Sequence, residues 1–338
     1  MSRSSAPRVA LGTCLMLGAL SLVGCIPQPR MYTARQVHSR LAPYERIARW
    51  DGERFVPVER GSIEASHLYV LVHGWAPGWA DAVREQPTLR AWDARDGGGH
   101  PFQAWFTELA RALSQADPFA VVVVYSWLDD AASIPFFFAG RRVMAHTDLH
   151  GRWLAQALAE VERPDFAAHN GRVHLIGHSY GARVAAVAAS ELDELPAQLT
   201  MFDPPENAIT YMSGSQAGLS RPLRRLPIGS GAGQIFVDNY ISMMGQHLHT
   251  RAGLEGVVDV YLRPPYGSGE YRRRHNYPMH FYALSAASEI GLAWARLISE
   301  APTPHPGCYE QSYGAMGIHP GCYGTALGPT PGVRGVVF

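Results

Sequence analysis

Three observations in the sequence predict an α/β fold with a mostly parallel central sheet and helices on both faces. Continuous apolar runs of strand length recur at His67–Val72, Phe119–Tyr125 and Val173–Ile176, as expected of strands buried on both sides. Segments with helical apolar spacing, Phe102–Gln115 and Leu149–Val161, alternate with those runs, the pattern of parallel strands joined by crossover helices. The third is the stretch Gly171–Ser190, GRVHLIGHSYGARVAAVAAS, where a strand, a sharp Gly177-His178-Ser179-Tyr180-Gly181 turn and a small-residue helix from Ala182 follow one another directly. At 338 residues and 47% hydrophobic content the chain can bury one large core, and no long linker breaks the alternation. A single domain over residues 65–301 is therefore expected.

The N-terminus reads as a targeting segment. Arg3 and Arg8 precede an apolar run, Val9–Val23, that is short for a membrane span and ends Leu22-Val23-Gly24-Cys25. This resembles a bacterial lipoprotein signal, which is cut before a cysteine whose thiol carries lipid; an ordinary signal peptide is the alternative. The resemblance implies removal of residues 1–24, lipidation of Cys25, export to the cell envelope and a membrane tether that does not span the bilayer. Ile26 in place of the aspartate linked with inner-membrane retention favours the outer membrane of a Gram-negative cell.

Two cysteines then remain, Cys308 and Cys322, in a Gly/Pro-rich tail over residues 302–338 that repeats the pentapeptide HPGCY. In an oxidising compartment a disulfide between them is the simplest expectation, ahead of a zinc site formed with His305 and His319. No metal or cofactor is expected. Twenty-nine basic residues balance twenty-nine acidic ones at a pI near 7.3, so no electrostatic footprint argues for nucleic acid. Small or neutral partners are expected instead.

Residues 25–64 read as a linker or lead-in, with Phe55-Val56-Pro57-Val58 as a candidate edge strand. The run His67–Val72 ends in His73-Gly74-Trp75, a candidate oxyanion loop. An acyl-transfer intermediate needs backbone N–H donors aimed in advance at its negative oxygen, and Trp75 and Tyr180 are the candidates. Phe102–Gln115 presents Phe102, Trp105, Phe106, Leu109 and Leu113 along one helical side, a covering helix. After Phe119–Tyr125 come Asp129 and Asp130, read as capping or loop-anchoring groups, and then Phe136-Phe137-Phe138, a candidate lining for an acyl pocket or lid.

A G-x-S-x-G turn between a strand and a helix is a nucleophile elbow: the strained turn lifts the Ser179 hydroxyl clear of the sheet edge, as in the α/β-hydrolase fold. Serine needs a histidine to take its proton, and the histidine needs a carboxylate to orient it. In this fold the acid and then the histidine follow the serine along the chain. Asp203, ending Gln198–Phe202, and Asp238, ending Gln234–Val237, compete as the acid; His275 and His280, after the strand Gly256–Leu262, compete as the base. Residues 206–233 form a Gly- and Ser-rich candidate flap, Arg221, Arg224, Arg225 and Arg272–Arg274 form basic clusters read as solvated, and Phe281–Ser299 reads as a final helix with Leu284 on its packed side.

The segments Gly177–Gly181, Leu199–Glu206 and His275–Ser285 resemble the elbow, acid and histidine segments of the pancreatic-lipase-like family of α/β-hydrolases. Phe202-Asp203-Pro204-Pro205 matches that family's acid motif, and His275 with Phe281, Tyr282 and Ser285 reproduces the spacing around its histidine, whereas His280 does not. The resemblance implies Ser179, Asp203 and His275 as the catalytic set, with Asp238 and His280 in reserve. It also implies a serine hydrolase of carboxylic esters, small or lipidic, working through an acyl-enzyme. An acyltransferase and a non-catalytic binding lipoprotein of the envelope are the competing expectations.

Overall fold

The computed structural model describes residues 41–76, 102–133, 139–162, 173–205, 218–229, 233–245, 256–262, 269–287 and 335–337, with positions 248, 254, 264 and 266. Among the described residues nine strands form one sheet: β1 (Ile47–Trp50), β2 (Phe55–Pro57), β3 (His67–Val72), β4 (Ala120–Tyr125), β5 (Val173–His178), β6 (Gln198–Phe202), β7 (Phe236–Ile241), β8 (Val258–Tyr261) and β9 (Gly335–Val337). Their order is β2-β1-β4-β3-β5-β6-β7-β8-β9. β1 runs antiparallel to β2 and β4, and every other pairing is parallel.

The central strands are apolar on both faces because both faces are covered. Along β3, Leu68, Val70 and Val72 enter one core while Tyr69 and Leu71 enter the other. The first core is filled by α3 (Ala139–Val161) and α4 (Tyr180–Glu191), through residues such as Leu154, Leu158 and Val184. The second is filled by α1 (Gln103–Ala116) and α6 (Tyr271–Ala287), which pack on each other and supply Phe106, Leu109, Leu113, Met279 and Tyr282. Two short helices, α2 (Leu128–Ser133) and α5 (Ser220–Leu223), follow β4 and precede β7. The parallel order β4-β3-β5-β6-β7-β8, with a sharp turn from β5 into α4, is the α/β-hydrolase fold. Its strand order reverses at β3, and in open parallel sheets such a reversal favours ligand sites at the carboxyl ends of the adjacent strands, here β3 and β5.

Four expectations are corrected. The lead-in over residues 25–64 is not all linker: from Pro43 the chain forms a 3-10 turn, then β1 inside the sheet, with β2 as the edge strand expected near Phe55. Arg46, at the start of this segment, is wholly buried. The elbow helix starts at Tyr180, two residues before Ala182. β7 does not stop at Val237; it runs to Ile241 and places Asp238 inside the sheet. The last helix starts at Tyr271, ten residues before Phe281, because its charged first turn and Pro278 conceal helical spacing. Leu284 lies on its exposed side, and the buried side is Met279, Phe281, Tyr282, Ala283 and Ala286.

Cys25, Cys308, Cys322, Phe136–Phe138 and residues 206–217 and 230–232 of the candidate flap lie outside the described residues. Among the described residues no helix is long and apolar enough to cross a membrane.

Candidate active site

Ser179 stands between β5 and α4 with φ 54° and ψ −129°, a backbone conformation that side chains other than glycine rarely adopt. Hydrogen bonds hold it there: Ser179 N–H donates to Phe202 O at 2.8 Å, and Ala182 N–H donates to Ser179 O at 3.0 Å. The helix must rise directly beside β3. A Cβ at Gly181 would collide with the backbone carbonyls of Val72 and His73, so this glycine is a steric requirement of the turn.

Asp203 follows the neighbouring strand β6, also at positive φ (46°), and is fully buried. Its Oδ1 accepts N–H bonds from Ser242, Met243, Met244 and Gly245 at 2.8–2.9 Å. Its Oδ2 accepts the Nδ1–H of His275 at 2.6 Å. Burial alone would raise this carboxyl; the hydrogen bond and charge of His275, with the N–H groups of Met243 and Gly245, outweigh it and hold the pKa at about 2. Asp203 is therefore ionised, and His275 is fixed with Nδ1 as donor and Nε2 as its other ring nitrogen. The His275 ring lies 4.6 Å from that of His178, the residue before Ser179, which brings the base to the elbow.

The third wall is the loop after β3. A Cβ on Gly74 would lie 2.7 Å from Cβ of Ser179, so only glycine lets this loop close on the elbow. His73, fully buried, sets the loop's direction. Trp127 donates its backbone N–H to His73 Nε2 at 3.0 Å and its indole N–H to His73 O at 2.6 Å. With Nε2 accepting, the proton is on Nδ1, which donates to Gly74 O at 2.8 Å. The peptide is trans, so the Trp75 N–H points opposite to that carbonyl, away from His73. Burial pushes the His73 pKa down to about 3, outweighing the Gly74 bond, so the neutral tautomer persists. The Tyr180 N–H belongs to the first turn of α4, where helical donors lack helical acceptors, and the Tyr180 ring meets that of Trp75 edge-on at 6.3 Å.

The structure brings the Ser179 elbow, Asp203, His275 and the Trp75 loop together and leaves both reserves apart. Asp238 accepts Thr200 Oγ–H at 2.6 Å and Gln198 Nε2–H at 3.2 Å within the sheet. His280 pairs with Glu108 of α1 at 2.6 Å, on the half-exposed α1–α6 seam. His73, Trp127, His178 and Ser242 were not assigned roles from the sequence. The triad logic that nominates a candidate acid and base asks nothing of the residues that hold them.

Asp129 and Asp130 lie in the first turn of α2, not in a loop or at its cap, and anchor it through partners far along the chain. Arg46 makes a two-pronged bond to Asp129 at 2.9 and 3.0 Å, both groups buried. Asp130 accepts from His150 Nε2–H at 2.7 Å, while His150 Nδ1 accepts the Tyr125 hydroxyl at 2.9 Å. Asp129, Asp130 and His150 offer ligand atoms within 4.8 Å of one another, but the Arg46 guanidinium already supplies the positive charge there. Among the basic clusters, Arg272 and Arg273 are exposed, and Arg273 pairs with Glu270 at 2.8 Å.

No known protein family matches the chain. Among curated proteins, the lipoprotein lipases of Bos taurus and Ovis aries are each 25% identical over 142 residues, 41% of this chain. The chain spans about a quarter of the length of these relatives, 24%. Among solved structures, an esterase from the archaeon Pyrobaculum calidifontis aligns over 78% of this chain and 88% of its own, with 14% identity and a TM-score of 0.35. Esterase 2 of Thermogutta terrifontis, phosphoramylated by tabun, aligns over 72% of this chain and 89% of its own, with 12% identity and a TM-score of 0.30.

Proposed function

We propose that the protein is a serine hydrolase that cleaves carboxylic esters through an acyl-enzyme. The observation that carries this reading is the 2.6 Å bond from His275 to the ionised Asp203, beside a serine held at positive φ. Ser179 Oγ attacks the ester carbonyl as His275 Nε2 takes its proton. The negative oxygen is received by the N–H groups of Trp75 and Tyr180, each such donor being worth roughly 10²–10³ in rate. His275 then protonates the leaving alcohol, and a water deprotonated by His275 releases the acid and restores Ser179. Asp203 stays ionised throughout and stabilises the imidazolium.

The substrate class is an ester of small or lipidic acyl groups. A lipid on Cys25 would place the site beside a membrane of the envelope, and metabolic labelling with a fatty-acid analogue, lost in Cys25→Ser, tests that tether. For the catalytic reading the test is a fluorophosphonate probe together with p-nitrophenyl esters. Ser179→Ala is expected to abolish labelling and hydrolysis, and undiminished labelling of that variant overturns the assignment.

A further inference from the structure

Helix α6 carries a proline three residues after His275. Pro278 has no N–H, so the carbonyl of Arg274, four residues earlier, lacks its helical donor, and the pyrrolidine ring crowds that same carbonyl. A donor from outside the helix fills the gap: Ser242 Oγ–H reaches Arg274 O at 2.8 Å. The next carbonyl, that of His275 itself, accepts the Nε2–H of His178 at 3.2 Å. Ser242 directly follows β7 and His178 ends β5, so the two donors flank β6, whose end carries Asp203.

His178 is a demanding choice for its position. It is 2% exposed, burial and the nearby His275 keep its pKa well below the usual histidine value, and its buried Nδ1 has no hydrogen-bond partner. An unpaired buried acceptor carries an uncompensated desolvation cost, which an aliphatic side chain would avoid. Its Nε2–H bond to the His275 backbone is a use that accounts for that cost.

We infer that His178 and Ser242 are positioning residues for His275. Ser242 replaces the donor that Pro278 removes, His178 pins the adjacent carbonyl, and together they set the position at which the imidazole meets Asp203 and Ser179. The inference rests on the triad reading above. Ser242 serves the acid as well as the base, since its backbone N–H binds Asp203 Oδ1 at 2.9 Å; replacing its side chain leaves that N–H in place.

The test is a set of variants assayed for p-nitrophenyl ester hydrolysis and for the rate of fluorophosphonate labelling. Ser242→Ala is expected to lower kcat and the labelling rate about tenfold with KM nearly unchanged, and Ser242→Thr to restore both. His178→Leu is expected to lose more activity than His178→Gln, which keeps a side-chain N–H. In a Pro278→Ala background the Arg274 carbonyl regains an N–H partner, so Ser242→Ala costs less than about threefold there. An unchanged kcat in Ser242→Ala, or the same loss with and without Pro278, overturns the inference. If the wild-type protein is not labelled at all, the ester-hydrolase reading fails separately. The inference is then read from the far-downfield NMR signal of the His275 Nδ1 proton. A shifted or broadened signal in Ser242→Ala supports it, and an identical one overturns it.

Discussion

Ser179 N–H donates to the carbonyl of Phe202 at 2.8 Å, so the proposed nucleophile is hydrogen-bonded to the residue immediately before the proposed acid, Asp203. Asp203 N–H donates in turn to Tyr240 at 2.7 Å. Among the described residues these two are the non-glycine positions with positive φ. Strain of this kind is worth about 1–3 kcal/mol per residue, and glycine relieves it at a cost of about 0.5–1 kcal/mol in chain entropy. Ser179→Gly is therefore expected to be inactive yet more stable than wild type by about 1 kcal/mol, a rise of about 2–4 °C in Tm. Ser179→Ala, equally inactive, keeps the strain and should show no such rise. Thermal unfolding of the two variants side by side makes the comparison.

Gly74→Ala addresses the oxyanion loop. Its new Cβ must displace either Cβ of Ser179, 2.7 Å away, or the loop itself. On the proposed mechanism the loop's N–H acts mainly in the transition state, so kcat is expected to fall by about 10²–10³ while KM changes little. Trp127→Phe removes the indole N–H that holds His73 O and should lower kcat less, with the same pattern. Steady-state kinetics on one soluble ester distinguishes this from loss of substrate binding.

The elbow and the candidate acid and base were legible because chemistry dictates residue type and order: a G-x-S-x-G turn after a buried strand, a carboxylate at the next strand end, a histidine further on. Asp238 competed with Asp203 because both follow an apolar run. The difference is that Asp238 and Asn239 hydrogen-bond to side chains on neighbouring strands, Thr200 and Asp259, and lie inside β7. β1 was illegible for a related reason. A buried arginine looks like a surface residue until its partner Asp129, 83 positions away, is known. The start of α6 was hidden because three arginines and a proline carry no apolar period, and its helical form is supported by packing against α1 and by donors from His178 at the end of β5 and Ser242 just after β7.

The Arg46–Asp129 pair gives a stability prediction. Both side chains are almost completely buried, and Arg46 also lies over the Trp153 ring at 5.2 Å. Arg46→Met leaves the Asp129 charge buried and unpaired, so a loss of about 3–5 kcal/mol is expected. Arg46→Met combined with Asp129→Leu removes both charges and should recover most of it. Chemical denaturation of the single and double variants measures the difference, and a double variant as unstable as the single one refutes the argument.

Asp238 makes the sheet interior sensitive to pH. His174 Nε2–H donates to Thr200 Oγ at 2.7 Å, and Thr200 Oγ–H donates to Asp238 Oδ1 at 2.6 Å, with all three side chains fully buried. Burial pushes the Asp238 carboxyl up to about 7 despite the hydrogen bonds from Thr200, Gln198 and Tyr240. Between pH 4 and 7 the native protein thus holds a proton there that the unfolded chain has released. Stability from this group is fully present below about pH 4 and is lost as pH rises towards 7. His73 and His174 act in the opposite sense. Burial holds both at about 3, so they stay neutral while the unfolded chain takes up protons below pH 6.5, and stability is lost as pH falls. In the wild-type protein Asp238 offsets part of that acid sensitivity. Asp238→Asn removes the offset, so between pH 4.5 and 6.5 its unfolding free energy should rise with pH more steeply than wild type, by about 1.4 kcal/mol per pH unit. Urea midpoints across that range test the sign: parallel slopes for the two proteins would show that Asp238 is ionised in the native sheet.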